Sequence, residues 1–191
     1  MANEIEVKIL GINVEKLKKS LARNQASLIS PMEKQIRYIF DIDANDKSKW
    51  IRLRTSGGKT TLTVKVIRDD RIDGTEEFEV TVSDIKTTLK ILELMGFSLK
   101  SYQENYRITY SLDGAELSID FWPQLKPYLE IEANDKAKIR EIIKKLGLSE
   151  YKQTSANTIK LYDAQGIDLN IIKELKFTNE EEGGYSSGRN C

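Results

Sequence analysis

The chain has no histidine among its 191 residues. That absence removes imidazole as a general acid or base, every serine–histidine pair, and imidazole as a metal ligand. There is a single cysteine, Cys191, so no internal disulfide can form and no thiolate pair can hold a metal. Any metal site must then use oxygen donors, which favours Mg2+ or Mn2+ and, less readily, Ca2+. No stretch approaches the roughly 20 apolar residues that span a bilayer. Met1-Ala2-Asn3-Glu4 lacks the basic region and apolar run of a signal peptide. These absences predict a cytoplasmic protein with no membrane association. Net charge is also missing, because 30 basic residues cancel 30 acidic ones. Nucleic-acid modules carry a basic excess, so no specific nucleic-acid partner is expected. Local clusters of either sign remain possible.

What is present is alternation. Hydrophobic residues make up 39% and charged residues 31% of the chain, the composition of a globular domain rich in charge. Period-two patterning predicts strands near 3–10, 34–43, 49–55, 59–68, 75–83, 101–112, 115–122 and 127–133. Ser56-Gly57-Gly58-Lys59 and Asp113-Gly114 read as hairpin turns, and 69–74 as a longer polar connection. Helical spacing begins after Asn13, with Val14, Leu17 and Leu21 on one face. It returns after Asp84, with Ile85, Leu89, Leu92 and Met95 as the stripe, and after Asp135, with Ile139, Ile142, Ile143 and Leu146. A weaker helix is expected near 155–164. One domain is expected over 1–175, followed by a disordered tail over 176–191. No regular strand–helix–strand alternation is visible, so the expected class is α+β with an antiparallel barrel rather than a doubly wound sheet.

Residues two apart in a strand share a face. Glu4, Glu6 and Lys8 therefore lie together, opposite Ile5, Val7 and Ile9. The same rule groups Arg52 with Arg54, Thr63 with Lys65, Glu77 with Glu79, Arg107 with Thr109, Ser118 with Asp120, and Glu130 with Glu132. One reading is an ordinary sheet with a solvated face. The other is a barrel whose charged face lines the interior and whose apolar face lies outside under the helices. Buried charge is costly unless it is paired, hydrated or bound to a charged ligand. Arginine forks match phosphate oxygens, lysine adds a point charge, and carboxylates hold a divalent cation. A polyphosphate needs both sets at once.

Glu4-Ile5-Glu6-Val7-Lys8 resembles the ExExK signature of the CYTH family, the triphosphate tunnel metalloenzymes. The later motifs follow in that family's order: Arg52-Leu53-Arg54, Thr63-Val64-Lys65, Glu77-Phe78-Glu79, Arg107, Asp120 and Tyr128-Leu129-Glu130-Ile131-Glu132. The resemblance implies an eight-stranded antiparallel tunnel, with helices outside, holding a triphosphate end to end. It implies metal ligation of Mg2+ or Mn2+ by Glu4, Glu6 and Glu132, with Glu130 and Asp120 beside them. Glu77 and Glu79 would hold a second metal or orient the bases. Lys8, Arg52, Arg54, Lys65 and Arg107 would bind phosphate, and Glu4, Glu6, Lys8, Arg54 and Glu132 would form the catalytic set. Many members carry an acid two residues after a strand glutamine. Here Gln35 is followed by Arg37, which either departs from the family's lumen charge at that point or adds a sixth phosphate contact. Lys160 is a further candidate for substrate contact, with Tyr162, at one mouth of the tunnel. The expected activity is metal-dependent hydrolysis of an inorganic or organic triphosphate. Conversion of ATP to cyclic AMP and diphosphate by a class IV adenylate cyclase is the alternative, and a non-catalytic binder of polyphosphate or nucleotide is the third. The expected partner is a small triphosphate-containing substrate, and the assembly a monomer or homodimer.

Overall fold

Alternation of β-branched or aromatic residues with polar ones gives strands that are apolar on one face only. The computed structural model describes residues 3–43, 45–68 and 74–186, the side chains of 3, 4 and 183–186 excepted. In chain order the elements are β1 (Asn3–Glu4), β2 (Glu6–Leu10), α1 (Val14–Arg23), β3 (Ser27–Asp43), β4 (Asp46–Ser56), β5 (Lys59–Ile67), β6 (Thr75–Val82) and α2 (Ile85–Leu94). They continue with β7 (Leu99–Leu112), β8 (Ala115–Phe121), β9 (Tyr128–Glu132), α3 (Lys136–Lys145), β10 (Lys152–Thr154), α4 (Thr158–Asp163), β11 (Glu174–Leu175) and α5 (Asn179–Ser186). Among the described residues, eight strands have five residues or more, the number expected. β2 with β9, β3 with β4, β4 with β5, β5 with β6, β7 with β8 and β8 with β9 pair antiparallel, and short β11 joins β7 in parallel. The class is α+β.

The chain divides into two compact units, each assembled from separated segments. The first comprises 1–4, 34–104 and 157–176, the second 5–33, 105–156 and 177–191. In the first unit the strand order is β1-β6-β5-β4-β3-β7, with β11 on the first half of β7. Helix α2 covers the apolar face, where Leu92 packs with Phe40 and Ile51, flanked by Tyr38, Leu62, Val64, Leu89 and Phe97. In the second unit the order is β7-β8-β9-β2-β10. Its apolar face carries Val7, Ile9, Leu117, Ile119, Leu129 and Ile131, all buried, together with Ile139, Ile142 and Ile143 of α3. Asn13, Asp84, Asp135 and Asn157 each accept a backbone N–H at a helix start, as short polar caps do.

Several expectations change. Strand 3–10 is broken at Ile5, so that β1 pairs with β6 while β2 pairs with β9. β3 begins seven residues early, at Ser27, and runs through Pro31. Met95, read as part of the α2 stripe, is 66% exposed, because the helix has ended and Met95 is only its C-cap. Within the stretch expected as a tail, Phe177 is buried and packs on Tyr106 with ring centroids 5.1 Å apart, and α5 follows. Its end, 187–191, lies outside the described residues, as does 69–73 of the polar connection.

Candidate active site

Register decides which charges become neighbours. In the second unit, Lys8 lies opposite Glu130, which in turn faces Ser118 and then Thr109. Glu6 lies opposite Glu132, and Glu132 opposite Glu116. Arg107 lies opposite Asp120. The Lys8 ammonium is almost fully buried. It pairs with Glu6 and, at 3.2 Å, with Glu130. Burial alone would lower its pKa, but Glu130 and Glu6 outweigh burial and hold it well above the ordinary lysine value. Arg107 makes a two-pronged contact, with Nε donating to Asp120 Oδ1 at 2.9 Å and Nη2 to Oδ2 at 2.6 Å. Nη2 also donates to Glu130 at 2.8 Å. Burial again opposes the charge, and Asp120 and Glu130 again overcome it. Asn105, fully buried, donates to Asp120 Oδ1 at 3.1 Å.

The first unit repeats this plan with different residues. Arg52 Nη2 lies 3.4 Å from both Glu77 and Glu79. Arg54 lies 3.7 Å from Glu79, and Lys65 pairs with Glu77. Buried Thr63 donates its hydroxyl to Glu79 at 2.7 Å. Burial would raise the Glu79 pKa, but the Thr63 hydrogen bond and then Arg54 and Arg52 lower it. Arg37 is buried beside this set, opposite Arg54.

Most of the predicted residues thus fall into two networks of acids and bases, one in each unit. Lys8, Arg107, Glu6, Glu130 and Asp120 join in one, and Arg52, Arg54, Lys65, Glu77 and Glu79 in the other. Glu132 is exposed at the β9 end, on the face of Glu6. Glu4 pairs through its backbone with Thr75; its side chain is outside the description. Lys160 lies exposed on α4, whereas Tyr162 on that helix is fully buried. Three contributors carried no assignment in the sequence: Asn105, Thr63 and Glu116. The first two lie two residues from Arg107 and Lys65 on the same strand faces, a signal that was available. Glu116 is found only from the pairing of β8 with β9.

For a divalent cation, the donor chemistry fits. The side-chain donors are carboxylate oxygens, and Glu6 and Glu132 sit directly opposite one another, where like charges repel unless a cation lies nearby. Among the described residues no three such ligands are gathered together. Asp120, Glu77 and Glu79 spend their oxygens on arginine, lysine and threonine, so their contacts suit orientation of bases better than metal ligation.

Antiparallel strands presenting paired acids and bases on polar faces, with helices on apolar ones, make an α+β fold. The CYTH domain model matches residues 2–162, and the chain belongs to the CYTH family. Solved structures agree on the fold. The PH1012 protein of Pyrococcus horikoshii OT3 is 24% identical with a TM-score of 0.70, the match covering 83% of this chain and 98% of that one. A candidate adenylate cyclase of Vibrio parahaemolyticus is 16% identical with a TM-score of 0.69, covering 85% and 98%. A candidate adenylyl cyclase from Hippeastrum, with a dominant triphosphatase activity, is 17% identical with a TM-score of 0.57, covering 85% and 95%. No curated protein matches. No helix among the described residues is long and apolar enough to cross a membrane.

Proposed function

We propose that the chain hydrolyses a triphosphate with the help of Mg2+ or Mn2+. The observation that carries this reading is the interlocking of bases with acids on polar strand faces: Lys8 and Arg107 with Glu6, Glu130 and Asp120, and Arg52, Arg54 and Lys65 with Glu77 and Glu79. Paired acids keep the bases charged and aimed in the free protein, so little reorganisation is needed when phosphate arrives. Lys8, Arg37, Arg52, Arg54, Lys65 and Arg107 are the phosphate-binding set. Asp120 and Asn105 fix the Arg107 fork, and Thr63 fixes Glu79. Glu4, Glu6, Glu130 and Glu132 would hold the cation, which supplies Lewis-acid polarisation of a phosphoryl oxygen when bound. In the reaction a water oxygen bonds to the terminal phosphorus. The bond from that phosphorus to the bridging oxygen breaks, the leaving diphosphoryl group keeps the electron pair, and the water proton passes to solvent. The bases stabilise the charge that grows on the leaving oxygens.

Cyclisation of ATP is the second reading. It is favoured by half-buried Trp50, which shares the face of Lys65 and offers an aromatic surface for a base. The test incubates purified protein and Mg2+ or Mn2+ with tripolyphosphate or ATP, and measures orthophosphate, diphosphate and cyclic AMP. Orthophosphate release is expected. Cyclic AMP with diphosphate would replace the first reading by the second, and no turnover with either cation would leave only a binder.

A further inference from the structure

Away from the charged strand faces, the second unit holds a cavity of about 400 Å3 between α1 and the last turn of α3. Helix α1 and its two caps line it with one stripe: Asn13, Lys16, Leu17, Ser20, Arg23 and Asn24. These positions recur every three or four residues, the spacing of a single helix face. On the other side Gly147, at φ +73°, ends α3 and turns the chain back, and Leu148 N donates to Ile143 O at 2.9 Å. Ser20 Oγ donates to Leu146 O at 3.1 Å and so ties α1 to that turn.

The lining combines two chemistries. Leu17, Leu146 and Leu148 are buried and supply an apolar floor, and half-buried Tyr151 adds an aromatic ring. Lys16, Arg23, Lys144 and Lys145 stand round that floor, with no carboxylate among the described lining residues. Asp113, which is not in the lining, holds Lys145 at 2.5 Å. In a chain whose charges cancel overall, this is a local excess of base. Hydrogen-bonding groups of both kinds are present too. Asn13 Oδ1 accepts from Lys16 N, so its amide NH2 remains a donor. Asn24 Nδ2 donates to Ser20 O, so its Oδ1 remains an acceptor.

A bare inorganic anion would use the bases and leave the floor wet, and an uncharged apolar molecule would use the floor alone. A nucleoside monophosphate satisfies both. Its phosphate suits the lysines and arginine, its flat base suits leucine and tyrosine, and its base edge both donates and accepts. The volume lies within the roughly 300–1,000 Å3 of small-molecule clefts. We propose that this cavity binds a nucleoside monophosphate, with the phosphate among Lys16, Arg23 and Lys144 and the base on the leucine floor beside Tyr151. The site shares no residue with the strand-face networks and stands independently of the triphosphate reading.

The experiment measures equilibrium binding of AMP, GMP, CMP and UMP, of their nucleosides and of orthophosphate to the full chain without metal. At least one monophosphate should bind about tenfold or more tightly than its nucleoside and than orthophosphate. Saturating tripolyphosphate should not displace it. Lys16 is the third residue of α1, where glutamate favours a helix start, so Lys16→Glu reverses a cavity charge without weakening the helix. That variant should lose about tenfold or more in affinity for the monophosphate, and Tyr151→Leu about threefold or more. Both should keep tripolyphosphate binding within about twofold of wild type. Failure of all four monophosphates to bind would overturn the site, as would orthophosphate binding equally well, displacement by tripolyphosphate, or unchanged affinity in Lys16→Glu. If the monophosphate binds as expected but tripolyphosphate does not, the triphosphate reading alone fails.

Discussion

At the scale of single residues, the charges differ in how far the fold depends on them. Asp120 is fully buried and accepts from Arg107 and Asn105. Removing one partner of a buried pair leaves the other uncompensated, so Asp120→Asn should lower the unfolding free energy by about 3–5 kcal/mol in urea titration. A change under about 1 kcal/mol would show that Arg107 does not need it. Glu6 differs, because Lys8 keeps Glu130 when Glu6 is neutralised. Glu6→Gln should abolish metal-dependent turnover while the unfolding free energy stays within about 1.5 kcal/mol of wild type. Full activity, or a collapsed fold, would remove Glu6 from the ligand set. The pairing of acids with bases along strand faces was legible in the sequence because side chains in a strand repeat every two residues. What each acid touches was not. The motif order places Asp120 beside the metal ligands, and only the register shows that Arg107 lies across from it. Glu104 carried no signal at all, since it interrupts an apolar face. It is buried there against the Tyr102 hydroxyl at 2.7 Å and Lys34 at 3.1 Å.

At the scale of elements, the packing of α2 separates two apolar residues that the sequence treated alike. Leu92 is 3% exposed in the core of the first unit, whereas Met95 stands past the last turn. Leu92→Ala should cost about 2–5 kcal/mol, and Met95→Ala less than about 0.5 kcal/mol, by the same urea titration. Comparable costs would mean that the helix is longer or rotated. Helix starts were legible to the residue from Asn13, Asp84 and Asp135, since a short polar side chain satisfies open N–H groups there. Both hairpins were legible too, because Gly57-Gly58 and Asp113-Gly114 all adopt positive φ. The early start of β3 was not, for proline and exposed Leu28 and Ile29 interrupt the alternation.

At the scale of the whole molecule, the lack of histidine sets the response to pH. For Glu79, burial is outweighed by Thr63, Arg54 and Arg52; for Asp41, it is outweighed by Lys100 and Lys47. Both pKa values are lower in the folded state. Their stabilisation is therefore complete above the unfolded values near ~4 and is lost as pH falls through the folded ones. Lys8 and Arg107 are shifted upward, so their contribution is complete below the ordinary lysine and arginine values. The melting temperature should stay within about 2 °C from roughly pH 6 to 9 and fall steeply below about pH 4. A steep change between pH 5 and 8 in calorimetry would contradict this.

The interleaving of the two units has a consequence for how the chain is made. It passes from one unit to the other five times, and neither unit is a continuous stretch. Strand β2 finds its partner in β9, with Ile9 set against Leu129. A ribosome adding roughly 5–20 residues per second would leave that apolar strand without its neighbour for on the order of ten seconds. Until residues 128–132 are made, β2 has no β9 beside it, and a chain truncated before residue 128 lacks the strand that sets Leu129 against Ile9.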